Sequence, residues 1–125
     1  MKHLSLACFL GLSILAGCAT APGAKAPAVV DQGILVDAKR MTLYTFDADK
    51  TPGKSSCNGQ CAVNWPPFMV AEGSPPADEF SVVVRDDGRK QWAYRGKPLY
   101  YWPEDQEPGD RYGDNYRNVW HVVKP

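Results

Sequence analysis

One seven-residue pattern occurs twice in this chain and constrains its fold more than any other feature. Leu-Tyr-x-aromatic-x-x-Asp runs through residues 43–49 and again through residues 99–105. Each copy is followed by Pro-Gly and closed by a tryptophan, which gives Pro52-Gly53 with Trp65 and Pro108-Gly109 with Trp120. The two tyrosines lie 56 residues apart and the two tryptophans 55. This shared register indicates an internal duplication, with repeat 1 at about residues 33–71 and repeat 2 at about residues 79–123.

Each copy of the motif predicts a short β-strand that ends at an aspartate; in the second copy the strand is predicted at Leu99–Trp102. Side chains alternate between the faces of a strand, so the tyrosine and the aromatic residue two positions after it lie on the same face. The aspartate follows where the strand stops, and we interpret it as a loop cap for nearby backbone N–H groups. Ligand binding is the alternative. The repeat-motif residues are Tyr44, Phe46, Asp49, Tyr100, Trp102 and Asp105.

The rest of the chain reads as strands and turns, with no helical periodicity over a useful length. Gly33–Asp37 and Met41–Phe46 predict one hairpin. Asp86-Asp87-Gly88-Arg89 predicts a second hairpin, between Phe80–Arg85 and Lys90–Tyr94. The sequence therefore predicts an all-β fold, a small single domain of antiparallel strands and hairpins. We expect two related β units that pack their aromatic faces together.

These motifs together resemble a family of small bacterial lipoproteins described as a secreted repeat of unknown function. The resemblance rests on the tandem Tyr-x-(Phe/Trp/Tyr)-x-x-Asp pattern and on further stretches: Cys57-x-x-x-Cys61 before Trp65-Pro66-Pro67, Asp87-Gly88, Gly96-Lys97-Pro98-Leu99-Tyr100, Pro108-Gly109-Asp110 and Trp120-His121-Val122-Val123. It covers nearly the whole mature chain. The resemblance implies an exported, lipid-anchored domain, and it implies no reaction, because none is firmly assigned to the family.

Residues 1–17 have the layout of a lipoprotein signal peptide. Lys2-His3 precede the apolar run Leu4–Leu15, which is too short to span a bilayer as a mature helix. The run leads into Leu15-Ala16-Gly17-Cys18, which is typical of a lipobox. Cys18 is the predicted lipidation site, with an ordinary signal peptide as the alternative. Residues 18–29, rich in alanine and proline, are predicted to form a tether, and residues 30–125 the β domain.

The anchor predicts a location in the cell envelope, with the membrane as a partner through the lipid on Cys18. Several acyl chains hold a protein to a membrane far more firmly than one chain does. Ala19 follows the lipidated cysteine where an aspartate would favour the inner membrane. The periplasmic face of the outer membrane is therefore predicted if the host has two membranes. The mature chain carries 13 basic and 14 acidic residues, and this balance argues against nucleic acid as a partner.

Cys57 and Cys61 are the pair that remains once Cys8 leaves with the signal peptide and Cys18 carries lipid. Export places the pair in an oxidising compartment, so a structural disulfide is expected. The alternative is a copper-binding or thiol-redox accessory protein, in which both thiolates bind Cu(I) and His121 is a third ligand. This spacing resembles that of thioredoxin-like copper-delivery proteins. The chain lacks their βαβ pattern, so no metal or cofactor is favoured.

Other catalytic and metal-binding classes find little support in the sequence. His121 is the only histidine of the mature chain, which excludes multi-histidine zinc sites and weakens a Ser-His-Asp mechanism. No carboxylate pair is marked out for glycoside hydrolysis. Two loops are acidic, but neither has the spacing of a calcium-binding loop, so we expect solvated carboxylates. These loops hold Asp47 and Asp49, and Glu104, Asp105, Glu107, Asp110 and Asp114.

Aromatic residues are abundant for a small domain, and most of them should lie in the core. Tyr101, Tyr112 and Tyr116 are expected at the surface, where aromatic side chains stack on sugar rings or dock a partner protein. The sequence therefore predicts a non-enzymatic binding or interaction module at the cell envelope. Its predicted partner is an envelope protein or a glycan.

Overall fold

A computed structural model describes residues 25–125 of the chain. The predicted signal peptide, Cys18 and most of the predicted tether lie outside the described residues. Within residues 25–125, no helix has the length and apolar character needed to cross a membrane. The elements of this part are β1 (Ala28–Asp31), β2 (Ile34–Asp37), β3 (Tyr44–Phe46), α1 (Gln60–Asn64), β4 (Phe80–Val84), β5 (Lys90–Tyr94), β6 (Lys97–Pro98), a 3-10 helix (Tyr116–Asn118) and β7 (Trp120–Val122).

The strands form three small antiparallel sheets, which confirms the all-β prediction. β1 pairs with β2, β3 pairs with β7, and β5 lies between β4 and β6. Gln32 and Gly33 join β1 to β2 with φ angles of 50° and 81°, the two-residue turn that matches the twist of a hairpin. Arg95 and Gly96 form an equivalent turn between β5 and β6, with φ angles of 49° and 82°. The predicted hairpin of β4 and β5 is also confirmed.

Two sequence-based boundaries differ from the structure. The domain begins with Ala28, within the predicted tether, because this alanine is only 4% exposed and pairs with Asp37 across the first hairpin. The predicted strand Leu99–Trp102 is reduced to isolated bridges at Tyr100. One partner in these bridges is Pro67, and the Pro66 carbonyl accepts the Tyr101 N–H. Proline has no N–H to donate, so a regular ladder cannot extend along this edge.

The two repeats are interleaved rather than placed side by side. The Leu35 N–H in repeat 1 donates to the Val123 carbonyl in repeat 2, at 2.9 Å. The Trp92 N–H in repeat 2 donates to the Phe68 carbonyl in repeat 1, at 2.8 Å. β3 of repeat 1 likewise pairs with β7 of repeat 2. The final segment of each repeat therefore completes the sheet of the other.

Tyr44 and Tyr100 lie at the centre of this arrangement and exchange both of their backbone hydrogen bonds, at 2.9 and 3.0 Å. Because side chains alternate along a strand, the tyrosines and the leucines before them point to opposite faces. The tyrosine-side cluster contains Ile34, Val36, Tyr44, Cys57, Trp65, Tyr100, Trp120 and Val122. The leucine-side cluster contains Ala28, Leu35, Leu43, Phe80, Trp92, Tyr94 and Leu99.

Candidate functional site

The motif tyrosine of each repeat is hydrogen-bonded to the motif aspartate of the other repeat. The Tyr44 hydroxyl donates to Asp105 Oδ2, and the Tyr100 hydroxyl donates to Asp49 Oδ2 at 2.6 Å. Both tyrosine side chains are fully buried, at 0% exposure. Tyrosine and aspartate of one motif therefore do not pair with each other. They form two reciprocal bonds that link the repeats.

The second oxygen of each motif aspartate caps its own loop. Asp49 Oδ1 accepts the Ser56 N–H at 2.7 Å, and Asp105 Oδ1 accepts the Tyr112 N–H at 2.9 Å. In both cases the donor lies seven residues after the aspartate. The structure thus places these carboxylates as loop caps, with a second bond across the repeat boundary. Each oxygen of the two aspartates thus accepts a bond from a donor within the protein, which supports the loop-cap interpretation.

Burial controls the ionisation of these side chains. It raises the pKa of both Tyr44 and Tyr100, and the hydrogen bonds to the partner carboxylates raise them further. Both hydroxyls are therefore neutral donors at neutral pH. Burial also raises the pKa of Asp105, although the hydrogen bonds from the Tyr44 hydroxyl and the Tyr112 N–H act in the opposite direction.

The bond between Tyr100 and Asp49 belongs to a longer chain of hydrogen bonds, which also includes Ser55 and Arg85. The carboxylate accepts the one proton of the Tyr100 hydroxyl, so the Ser55 hydroxyl must donate to Tyr100, at 2.6 Å. Ser55 Oγ in turn accepts from Nη1 of Arg85 at 3.0 Å. Aligned donors of this kind polarise one another. The buried guanidinium is thereby connected to the Asp49 carboxylate through two hydroxyl groups.

Arg85 is only 6% exposed and makes its remaining bonds to uncharged acceptors. These are the Gln91 amide at 2.7 Å, the Cys57 carbonyl at 2.5 Å and the Asn58 amide at 3.3 Å. Burying a charge is costly unless its donors are satisfied, and here several acceptors surround it. Arg85 thus joins the second hairpin to the loop that carries the two cysteines.

Four aromatic rings, taken alternately from the two repeats, form a continuous stack. Trp65 and Trp120 stack at 3.9 Å with planes 5° apart. Phe46 stacks on Trp120 at 4.1 Å, and Trp102 packs against Trp65 at 4.4 Å with the ring planes 33° apart. Gly113 fits against Trp65 and Trp102 so closely that a Cβ would come within 2.8 Å of a ring. Trp65 and Trp120 belong to the tyrosine-side cluster, and Phe46 and Trp102 pack against it.

A groove of about 610 Å³ opens at the Trp102 end of this stack. One wall is α1 of repeat 1, the other is the 3-10 helix of repeat 2, and the nearly buried Trp65 and Trp120 lie beneath. We call it the aromatic groove, and its lining consists of Cys61, Val63, Asn64, Trp65, Trp102, Pro103, Glu104, Tyr116, Arg117 and Trp120.

The aromatic groove combines exposed apolar groups with polar groups at its rim. Val63, from α1, is 66% exposed, and Tyr116, from the 3-10 helix, is 37% exposed. Glu104 and Arg117 bring one negative and one positive charge. The Nε1–H of Trp102 is the one buried side-chain polar atom, among the described residues, that has no hydrogen-bond partner. Such an unpaired donor is rare in folded proteins.

Two of the three ligands in the copper alternative, Cys57 and Cys61, are joined to each other in this structure. The sulfur atoms of Cys57 and Cys61 lie 2.08 Å apart, which is the disulfide distance. Cys57 is fully buried, and Cys61 lines the aromatic groove. His121 faces Asp47 at 2.9 Å and Asn115 at 3.2 Å. Across residues 25–125, no three His, Cys, Asp or Glu side chains are grouped for a metal ion.

In the acidic loop of repeat 2, Asp110 and Asp114 accept backbone N–H groups rather than being solvated as expected. Asp110 Oδ2 accepts the backbone N–H groups of Gln106 and Glu107, both at 3.0 Å. Asp114 Oδ1 accepts the Val122 N–H at 3.1 Å. These bonds hold the loop against β7 and turn the carboxylates toward the backbone.

Sequence reasoning identified the motif residues and both cysteines but did not find the exchange between repeats. Nor did it single out Ser55, Arg85 or the aromatic groove. The equal seven-residue spacing from Asp49 to Ser56 and from Asp105 to Tyr112 is visible only when the copies are aligned. The polar segment around Ser55 contains nothing that predicts a buried hydroxyl. Its burial depends on Arg85 from the other repeat.

Comparison with known proteins gives one match. A family model described as a secreted repeat of unknown function matches residues 28–69 and 81–124, one match for each repeat. No curated protein and no solved structure matches the chain.

Proposed function

Since the chain belongs to the family described as a secreted repeat of unknown function, we propose that it is an envelope protein anchored by lipid on Cys18 that binds a partner in its aromatic groove. The proposal describes a binding module without catalysis. The name of the family, which refers to lipoproteins, and the lipobox ending at Cys18 both support the anchor.

The observation that carries the binding role is the aromatic groove itself. Ligand sites are typically concave and mostly apolar, with a few polar groups that fix orientation. The groove has this composition, and the exposed side chains of Val63 and Tyr116 both line it. Solvent-exposed apolar side chains gathered around one concavity are typical of interaction sites.

The position of the anchor supports the same reading. The predicted tether leads into Ala28, which packs in the leucine-side cluster. The aromatic groove opens over Trp65 and Trp120 of the tyrosine-side cluster. A protein held by its N-terminal tether would therefore present the groove away from the attachment point.

The contacts that the motif aspartates and His121 make within the domain support a structural role for these residues. Both oxygens of Asp49 and Asp105 are engaged by protein donors, and both ring nitrogens of His121 face side-chain oxygens.

Site-specific photocrosslinking in cells tests the binding role. A photoreactive amino acid placed at Val63 should yield a discrete, saturable adduct with an envelope component. The matched control places it at Val84, which is 61% exposed but lies on the second hairpin away from the groove. Equal crosslinking at both positions, or none at Val63, would contradict the proposal.

Metabolic labelling with a radioactive fatty acid tests the anchor. The wild-type protein should incorporate label and sediment with membranes, whereas Cys18→Ser should lose both properties. A Cys57→Ser/Cys61→Ser protein is the control for cysteine removal as such and should still be labelled. Unchanged labelling of Cys18→Ser would show that the lipid is attached elsewhere.

A further inference from the structure

We propose that the ligand of the aromatic groove is an uncharged glycan, recognised through its ring faces and neighbouring hydroxyl groups. This inference rests on the proposed binding function and adds the chemical class of the ligand to it.

The charge of the rim favours a neutral ligand. Glu104 and Arg117 are the charged side chains of the groove lining, and their charges cancel. The Arg117 guanidinium also lies 5.5 Å from the centre of the Tyr116 ring, where the aromatic face partly offsets its charge. A polyanion or polycation would meet one attractive and one repulsive group at this rim.

The polar side chains of the lining suit pairs of hydroxyl groups. Asn64, Glu104 and Arg117 are planar groups that each present two or more hydrogen-bonding atoms in a fixed geometry. Gln60 Nε2 donates to Asn64 Oδ1 at 3.1 Å and so orients this amide at the α1 wall. Neighbouring hydroxyls of a sugar ring both donate and accept, and they match such a set.

The aromatic lining complements the other half of a sugar ring. Tyr116 and Trp102, whose ring centres lie 5.0 Å apart, offer apolar surface for the C–H face of a pyranose. The unpartnered Nε1–H of Trp102 provides a donor that the protein itself does not satisfy.

The walls argue against a peptide ligand that adds as a β-strand. Strand addition requires an open sheet edge. The aromatic groove is lined by α1, by the 3-10 helix and by the segment Trp102–Glu104, none of which is a strand edge.

The test titrates the mature lipoprotein, purified in detergent, with the tetramer of N-acetylglucosamine, with cellotetraose and with maltotetraose. Tryptophan fluorescence and the indole N–H resonances report binding. We expect saturable binding of at least one of them, with the largest shift at the Trp102 indole. Tyr116→Ala should weaken that binding about tenfold or more, as expected for a central aromatic contact.

Tyr112→Ala is the matched control, because Tyr112 is 68% exposed in the same loop but does not line the groove. It should leave the affinity unchanged, and Arg117→Ala should weaken it without changing the circular dichroism spectrum. Absence of binding by all three oligosaccharides would overturn the glycan inference. If the Val63 crosslinker then captures a polypeptide that the oligosaccharides do not displace, the binding function stands and only the ligand class is wrong.

Discussion

The Tyr-x-aromatic-x-x-Asp motif acts through pairs of residues that are far apart in the chain. Tyr44 and Asp105 are 61 residues apart, and Tyr100 and Asp49 are 51 apart. In each pair a buried hydroxyl donates to a carboxylate that also caps a loop. Loss of either partner leaves a polar group buried without its bond. This explains why the two motif residues are found together in both repeats.

Replacing Tyr44 by phenylalanine should destabilise the domain by about 1–3 kcal/mol, because two polar groups lose their partner. Asp105 would lose the hydroxyl donor, and the Gly113 N–H, which donates to the tyrosine oxygen at 3.2 Å, would lose its acceptor. Urea unfolding measures the change. Tyr116→Phe at the surface is the control and should stay within about 0.5 kcal/mol of wild type. Equal effects of the two substitutions would contradict this role of the Tyr44 hydroxyl.

Asp105→Asn should change the pH dependence of stability in a defined direction. Burial raises the folded pKa of Asp105 above its unfolded value, so the folded state binds this proton more tightly. The stability that this tighter proton binding contributes is therefore complete below the ordinary aspartate pKa, about 3.9. It is lost as the pH rises through the raised pKa of the folded state. The free energy of unfolding of wild type, relative to the asparagine variant, should fall over this interval. A difference that grows with pH would mean that the hydrogen bonds to the carboxylate outweigh its burial.

The role of the motif aspartate could be predicted only in part. A carboxylate after a strand and before Pro-Gly predicts a loop cap from local chemistry alone. The bond to the tyrosine of the other repeat depends on how the repeats cross, which no local pattern contains. Arg85 is a stronger case, because an arginine at the end of the predicted strand Phe80–Arg85 carries no local sign that its side chain is buried. Its burial follows from the acceptors that Ser55 and the cysteine loop place around it.

At the scale of elements, α1 is a short helix with little stability of its own. Five residues form barely more than one turn, and Gly59 at its start provides no side-chain cap. It is held by the bond between Cys57 and Cys61 on one side and by Trp65 in the aromatic stack on the other. The α1 wall of the aromatic groove thus depends on the disulfide.

Cys57→Ser/Cys61→Ser should destabilise the domain by about 2 kcal/mol, the amount expected for a short closed loop. Hydrogen exchange should accelerate most at Ala62 and Val63, whose N–H groups bond to Gly59. For amides of the β4–β5 hairpin, the difference between the opening free energy and the global free energy of unfolding should stay the same as in the wild type. A uniform acceleration throughout the domain would mean that the disulfide stabilises the whole fold rather than the groove wall.

Element types were predictable where local chemistry determines them. The hairpin at Asp86–Arg89 follows from its turn residues, and strands rich in valine and aromatic residues follow from alternation. β1 was missed because Ala28, after an alanine- and proline-rich stretch, looks like tether. Its burial comes from the leucine-side cluster, which repeat 2 supplies in part. The position of a single strand such as β1 thus depends on contacts between the repeats, which a short stretch of sequence cannot reveal.

At the scale of the whole molecule, the interleaved repeats form one cooperative unit. Each repeat lacks its closing strand, because Phe68 pairs with repeat 2 and Val123 pairs with repeat 1. The aromatic stack alternates between repeats in the same way. The sequence predicted two related units with packed aromatic faces, and the structure adds that neither unit is complete alone.

Separation of the repeats should therefore abolish folding. A chain ending at Gly73 and a chain beginning at Ser74 should each show a disordered NMR spectrum, since each exposes an unpaired sheet edge and half of the aromatic stack. Mixing the two should restore the native spectrum. In a control, the intact domain cleaved at an engineered protease site between these residues should stay folded. A folded spectrum for either half alone would contradict the interleaved arrangement.

The bond between Leu35 and Val123 has a consequence for export. A chain that crosses a membrane from its N-terminus delivers the first hairpin early, but the strand that must lie beside it arrives last. Repeat 1 therefore cannot complete its sheet while repeat 2 is still crossing the membrane. The order of strands alone delays closure of the domain until nearly all of it has reached the far side.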